Sequence, residues 1–203
     1  MGGVIMKKLL SVIIALTICA SLTACSNSDD KFAGLKLLPV LVDRGSPNDL
    51  EELEQDCDIA FVGEYIDDGV QESKSMYMEQ FETDFVTEVS TTSTVKVKRV
   101  LIGDINTGDE VKVKLRYGIV KDQLISSTAL TPMQKGDEWV FFLTLSSGGE
   151  FYWHTYDSDG RYPTKNSPNN KIMPLAENSE LGVYDKADFN EKIYNELVEK
   201  YGV

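Results

Sequence analysis

Three observations predict a mainly β domain, an OB-like small β-barrel with a short N-terminal helix and a C-terminal helix. Five segments rich in β-branched and aromatic residues follow one another between residues 59 and 156, bounded by Gly, Asp or Ser turn signals. The longest breaks its alternation once, as a barrel strand does where it bends. A long excursion separates the third segment from the fourth, as in a five-stranded barrel of this kind.

Taken in order, Ser46-Pro47-Asn48-Asp49 predicts a helix start. Ser46 can cap, Pro47 suits the first helical position, and Asp49, Glu51 and Glu52 favour the positive end of the dipole. Leu50, Leu53 and Cys57 recur at spacings of three and four, so this helix has one apolar face and ends near Asp56. Residues 59–63 are a compact apolar run, the first strand, stopped by Asp67-Asp68-Gly69. Residues 69–84 are polar, carry Met76 and Met78, and read as a long mobile loop or an irregular hairpin arm.

Residues 85–101 form the longest strand. Val95-Lys96-Val97-Lys98 alternates cleanly and Arg99-Val100 breaks the pattern, which predicts a bulge there. In the next strand Val111, Val113, Leu115 and Tyr117 point one way, and Lys112, Lys114 and Arg116 the other. Lys135-Gly136-Asp137 turns the chain into residues 139–145, which are apolar throughout most of their length and so buried on both faces. Residues 146–149 are a hairpin loop, and 151–156 the last strand. Asp157-Ser158-Asp159-Gly160 turns again, and residues 163–174 read as loop. In the closing helix Asp188 and Glu191 form a capping-box variant, while Phe189, Ile193, Leu197 and Tyr201 stack on one face. Trp139, Phe141, Phe151 and Trp153 alternate with Phe142, Tyr152 and Tyr156. One set is core; the other is either an exposed surface for sugars or, the favoured reading, a platform under the closing helix.

The first 25 residues address location. Lys7 and Lys8 form a charged head, residues 9–22 are mostly apolar, and Thr23-Ala24 are small, the layout of a secretory signal peptide. The apolar run falls short of the roughly 20 residues of a membrane span. Leu22-Thr23-Ala24-Cys25 resembles the lipobox of bacterial lipoproteins. The resemblance implies that the Cys25 sulfur carries a diacylglyceryl group and the residue a palmitate-type anchor, the chain being cut just before it. The protein is then held at the cell membrane, facing outside the cytoplasm, and two acyl chains suffice for stable residence. The division that follows is a signal peptide over 1–24, a lipidated tether and arm over 25–45, and the barrel domain with its C-terminal helix over 46–203. Within the tether, residues 35–42 are an edge strand or a packed arm. Met1 and Met6 both remain candidate starts.

Removing residues 1–24 takes away Lys7 and Lys8 and no acid, leaving 18 basic against 33 acidic side chains and a formal net charge of −15. Nucleic acid is therefore not an expected partner, and anionic surfaces are excluded unless the few cations cluster. Cys57 alone remains once Cys19 leaves with the leader and Cys25 is acylated, so no intramolecular disulfide forms.

Motifs for catalysis are thin. His154 is the sole histidine and makes with Cys57 at most two ligands, so no metal site is expected. No G-x-S-x-G, G-x-G-x-x-G or phosphate-loop pattern occurs, and no cofactor is expected. Asp157-Ser158-Asp159-Gly160 echoes half a calcium loop without its closing ligands. The basic stripe is the one candidate site. Lys96 and Lys98 share a face with Lys112, Lys114 and Arg116 if the second and third strands pair. Either Glu64, Glu82, Glu88 or Glu110 neutralises them, or the face takes an anionic partner.

Leu50-Glu51-Glu52-Leu53, residues 58–63, Val95-Lys96-Val97, residues 100–103, residues 135–143 and Asp159-Gly160-Arg161-Tyr162 are together similar to a family of secreted bacterial proteins. That family is related in fold to the netrin-like modules of tissue inhibitors of metalloproteases. The likeness covers residues 48–163, implies the barrel, and brings no catalytic residue. Such inhibitors use a free N-terminal cysteine and disulfides, which an acylated Cys25 does not supply. The leading expectation is a membrane-anchored extracytoplasmic lipoprotein acting as a non-catalytic binding module for an envelope polymer or protein. The alternatives are a wall hydrolase with paired carboxylates and a netrin-like protease inhibitor presenting residues 69–84 or 118–134.

Overall fold

The computed structural model describes residues 35–40, 45–127, 134–156, 160–164 and 190–203. Along the chain these form β1 (Lys36–Val40), α1 (Leu50–Asp56), β2 (Ile59–Tyr65), β3 (Val70–Met78), β4 (Thr83–Ile102), β5 (Glu110–Leu115), β6 (Tyr117–Val120), β7 (Gln123–Ser127), β8 (Glu138–Leu145), β9 (Tyr152–His154), β10 (Arg161–Pro163) and α2 (Glu191–Tyr201). Five strands close a ring in the order β2-β4-β5-β9-β8 and back to β2. Numbered among themselves they run 1-2-3-5-4, with β5 and β9 parallel and the other neighbours antiparallel. This is the OB-like, mainly β barrel that the alternation predicts.

Closure depends on β4, which is long enough to pair β3 along its first half and then β5 and β2 along its second. Two register shifts against β2 leave Lys98 and Leu101 as extra residues. The bend predicted at Arg99-Val100 thus exists as a pair of bulges flanking that dipeptide. Across from them Gly63 lets the strands close: a Cβ there would meet Val95 Cγ1 at 2.6 Å and Phe61 Cε2 at 2.7 Å.

Alternation then sorts the core into two layers. Phe61, Tyr65, Val95, Val113, Phe141 and Leu143 are buried on the inner side of the ring. Ala60, Val62, Val140, Phe142 and Tyr162 point outward and are covered by Leu50 and Leu53 of α1 with Ile193 and Leu197 of α2. The closing helix is therefore the cover for the Phe142 side, as expected. The two helices are also tied to each other by hydrogen bonds. Glu196 accepts from the Leu50 amide at 2.9 Å, Lys192 donates to the Asn48 carbonyl at 2.9 Å, and Lys200 and Tyr201 both donate to Glu54.

Several sequence readings need correction. Asp49, not Ser46, caps α1, accepting from the Glu52 amide at 3.0 Å, because the helix begins at the buried Leu50. Asn190 caps α2 by accepting from the Ile193 amide at 3.2 Å; Asp188 and Phe189 lie outside the described residues. Residues 70–78 are no loop but β3, the hairpin-arm alternative, paired along its whole length with β4. The excursion after β5 holds the β6–β7 hairpin, joined by β1 in parallel as the edge strand of a three-stranded sheet. Arg161–Pro163, read as turn and loop, pairs with β8 as β10.

The last barrel strand carries the largest correction. β9 spans three residues and sets His154 opposite Leu143 and Trp153 opposite Thr144. His154 is therefore buried inside the ring beside Phe141, while Phe151 and Trp153 lie outside it. The set of aromatics read as one layer splits, Trp139 and Phe141 inward, Phe151 and Trp153 outward.

Candidate binding face

The helices cover the outer side of β2 and β8 and reach Leu101 and Ile102 at the end of β4; the rest of the outer side of β4, β5 and β9 carries the exposed Lys96 and Lys112 and the half-buried Lys114, Arg116 and Trp153. In OB barrels the face of the second and third strands, flanked by the loops after the first and fourth, is where ligands sit. Here those strands are β4 and β5, and the flanking segments are the β3 arm and residues 146–151. Lys96, Lys112, Lys114 and Arg116 fall on that face. Their rungs are Lys96 opposite Glu110, Lys112 opposite Thr94 and Lys114 opposite Thr92.

The five cations predicted as a patch are not equivalent. Lys98 is turned to β2 by the bulge and paired with Glu64 at 2.5 Å. Lys114 is tied down on three sides. It pairs with Glu72 of the arm at 2.8 Å with only 14 % of its side chain exposed, and its Nζ sits 4.9 Å from the Phe151 ring centroid and 6.0 Å from that of Trp153. Hydrogen bonding to Lys114 holds the Glu72 carboxyl below its ordinary range. Arg116 lies 5.3 Å from the Trp153 centroid, and the Phe151 and Trp153 rings meet edge to face at 5.1 Å. Among the described residues, Lys96, Lys112 and Arg116 form no ion pair with a carboxylate. Neutralisation by Glu64 is thus real for Lys98, and Glu72, an acid the strand pattern could not point to, does the same for Lys114.

The aromatic half of this face was invisible in the sequence. Alternation says that Phe151 and Trp153 share a side; which side depends on pairing with β8. Cations already lie over these rings, so they are not bare stacking surfaces for sugar rings. Beside it a cleft of about 510 Å³ is lined by Ile105, Asp109, Lys112, Glu150, Phe151 and Tyr152.

The other candidates resolve differently. Cys57 packs in the helix layer, where burial first and then Glu54, Asp58 and Asp56 push its thiol up to about 11, so it is a poor nucleophile. His154 is inside the ring, on the opposite side of the sheet, so the two are not brought together. Among the described residues no three His, Cys, Asp or Glu side chains are placed to hold a metal ion. Acids do gather in a cleft of about 800 Å³ between α1 and α2, at Glu51, Glu54, Glu196 and Glu199. Glu54 and Glu196 there are occupied by helix docking, which leaves Glu51 and Glu199 as the other two acids of that cleft. Cys25 and Asp157-Ser158-Asp159 lie outside the described residues. No helix among the described residues is long and apolar enough to cross a membrane.

Three tyrosines tie the fold to pH. Burial raises Tyr65 well above its ordinary value. Tyr156, donating to Asp56, is raised to about 12, and Tyr201 is raised by burial and by Glu54. A phenol raised by folding contributes stability fully below its unfolded value near 10 and loses it as pH climbs through the folded value. The urea midpoint is expected to hold from pH 8 to about 9.5 and then fall steadily towards pH 12. A midpoint flat to pH 12 would show that these phenols are not held neutral by the fold.

No family model, curated protein or solved structure matches this chain.

Proposed function

We propose that this chain is an extracytoplasmic lipoprotein, anchored through Cys25, whose barrel is a non-catalytic binding module for an anionic polymer of the cell envelope. The observation that carries the reading is the open β4–β5–β9 face. It concentrates Lys96, Lys112, Lys114 and Arg116 in a molecule of net charge −13 over the full sequence, and three of those cations have no carboxylate ion pair among the described residues. Long-range repulsion from the acidic remainder means that capture works only at short range, and is weakened by salt. The leader and Leu22-Thr23-Ala24-Cys25 support the location, since the two-chain anchor would hold the barrel beside wall material. The netrin-like resemblance supports a second reading, protease inhibition, because the β3 arm is the kind of stiff exposed projection an inhibitor presents.

The test uses the full-length chain extracted in mild detergent. Its intact mass should correspond to a chain starting at a diacylated Cys25. On an immobilised phosphate-rich wall polymer it should be retained at low salt and released as salt rises. Lys96→Glu combined with Lys112→Glu, both exposed, should leave the fold intact and weaken retention by about tenfold, at roughly 0.5–1 kcal/mol per contact. Retention indifferent to both the substitutions and salt would remove the binding role; an unmodified Cys25 would remove the anchor.

A further inference from the structure

The arm formed by β3 and the first half of β4 ends in an edge that no other described strand uses. β3 pairs with β4 on one side only, runs nine residues and contains no proline. The one register shift in the hairpin leaves Thr87 of β4 as the extra residue, so β3 itself is not bulged. Its side chains from Val70 to Tyr77 are exposed. The arm is nonetheless stiff. Lys74 pairs with Glu88 at 2.7 Å and Lys114 with Glu72 at 2.8 Å. The Gln71 amide donates to the Ile119 carbonyl at 2.9 Å and accepts from the Ile119 N–H at 2.5 Å. A long, unbulged edge of this kind templates a further strand.

The order of residues on that edge says which strand. Alternation sets Val70, Glu72, Lys74 and Met76 on one face. Read antiparallel against itself about Ser73, the order is self-complementary. Val70 meets the second copy's Met76, Glu72 meets its Lys74, Lys74 its Glu72, and Met76 its Val70. A shift of two residues either way sets Lys74 against Lys74 or Glu72 against Glu72, which is repulsive. A slip of one residue turns the outer faces of the two arms to opposite sides. In the matched register the charges alternate across both sheets: Lys114, Glu72, then Lys74 and Glu88 of the second copy. The apolar ends also gain, since Val70 is 70 % and Met76 54 % exposed.

We propose that β3 is a homodimerisation edge, two copies joining their arms antiparallel about a twofold axis at Ser73 through reciprocal Glu72–Lys74 pairs. The contact is isologous and closes on itself, so it yields dimers and no filament. It is small, which places it with weak, concentration-dependent associations.

Sedimentation equilibrium of the full-length chain in density-matched detergent tests this with two variants, Glu72→Lys and Lys74→Glu. Both positions are exposed, and circular dichroism checks that each variant folds. Alone, each variant sets like charges across the axis, and its dimer dissociation constant should rise at least about tenfold. Mixed in equal amounts, the two variants present unlike charges at both rungs, and a heterodimer should form within about threefold of the parent's affinity. A parent that stays monomeric throughout, a dimer indifferent to both reversals, or a mixture no tighter than its separate components overturns the proposal.

Discussion

Deleting residues 190–203 is expected to abolish cooperative folding near room temperature. Ile193, Leu197 and Val203 are buried against the outer side of β2 and β8. Each such side chain contributes about 1.5–3 kcal/mol, so their joint loss approaches the roughly 5–15 kcal/mol that holds a whole domain together. The deletion also removes Glu196, which accepts from the Leu50 amide in the first turn of α1, and Lys192, which donates to the Asn48 carbonyl just before that helix, and it leaves Phe142, Val62 and Tyr162 facing water. Near-ultraviolet circular dichroism should be lost and a hydrophobic dye bound at neutral pH, while far-ultraviolet strand signal persists in part. Leu197→Ala alone should cost about 2–5 kcal/mol. A truncated chain that melts like the parent would mean that α2 does not cover the barrel.

This cover was legible because it rests on local spacing. Phe189, Ile193, Leu197 and Tyr201 repeat at four, and residues 139–145 are apolar on both faces, so one side of that strand has to find a lid. The same logic carried Val111 to Tyr117, where every second residue is buried, and the bend in β4, where alternation fails. What failed depended on partners distant in sequence. Ser46 looks like a better cap than Asp49 until Leu50 is seen to be the first residue that packs on α2. Arg161–Pro163 is too short to announce a strand and becomes one only because the first half of β8 has a free edge.

The candidate site divides in the same way. Lys96, Lys112, Lys114 and Arg116 on the outer face follow from alternation and from β4 pairing with β5. That Lys98 leaves the group follows from a bulge placed one residue away from the predicted dipeptide. That Glu72 rather than Glu82, Glu88 or Glu110 holds Lys114 follows from the arm folding back as β3, which polar composition over residues 69–84 gave no reason to prefer over a loop.

The phase of β9 supplies the sharpest contrast between two residues that alternation alone would treat alike. Phe141 is fully buried inside the ring, 5.2 Å from the Phe61 ring and 5.5 Å from that of Tyr65, with His154 at 6.1 Å. Phe141→Ala should therefore cost about 3–5 kcal/mol, from lost transfer energy and a cavity that the surrounding barrel strands cannot collapse to fill. With a urea dependence of about 1–3 kcal/mol/M, the midpoint should drop by roughly 2 M. Phe151, half-exposed on the outer face, has Lys114 and the Trp153 edge against it. Phe151→Ala should cost about 1 kcal/mol, the worth of one such aromatic contact, and act instead on polymer retention by loosening Lys114. The pair of midpoints decides the pairing of β9 with β8. If Phe151→Ala proved as damaging as Phe141→Ala, then Phe151 and Trp153 would lie inside the ring after all, His154 would face solvent, and the cation–aromatic surface would not exist.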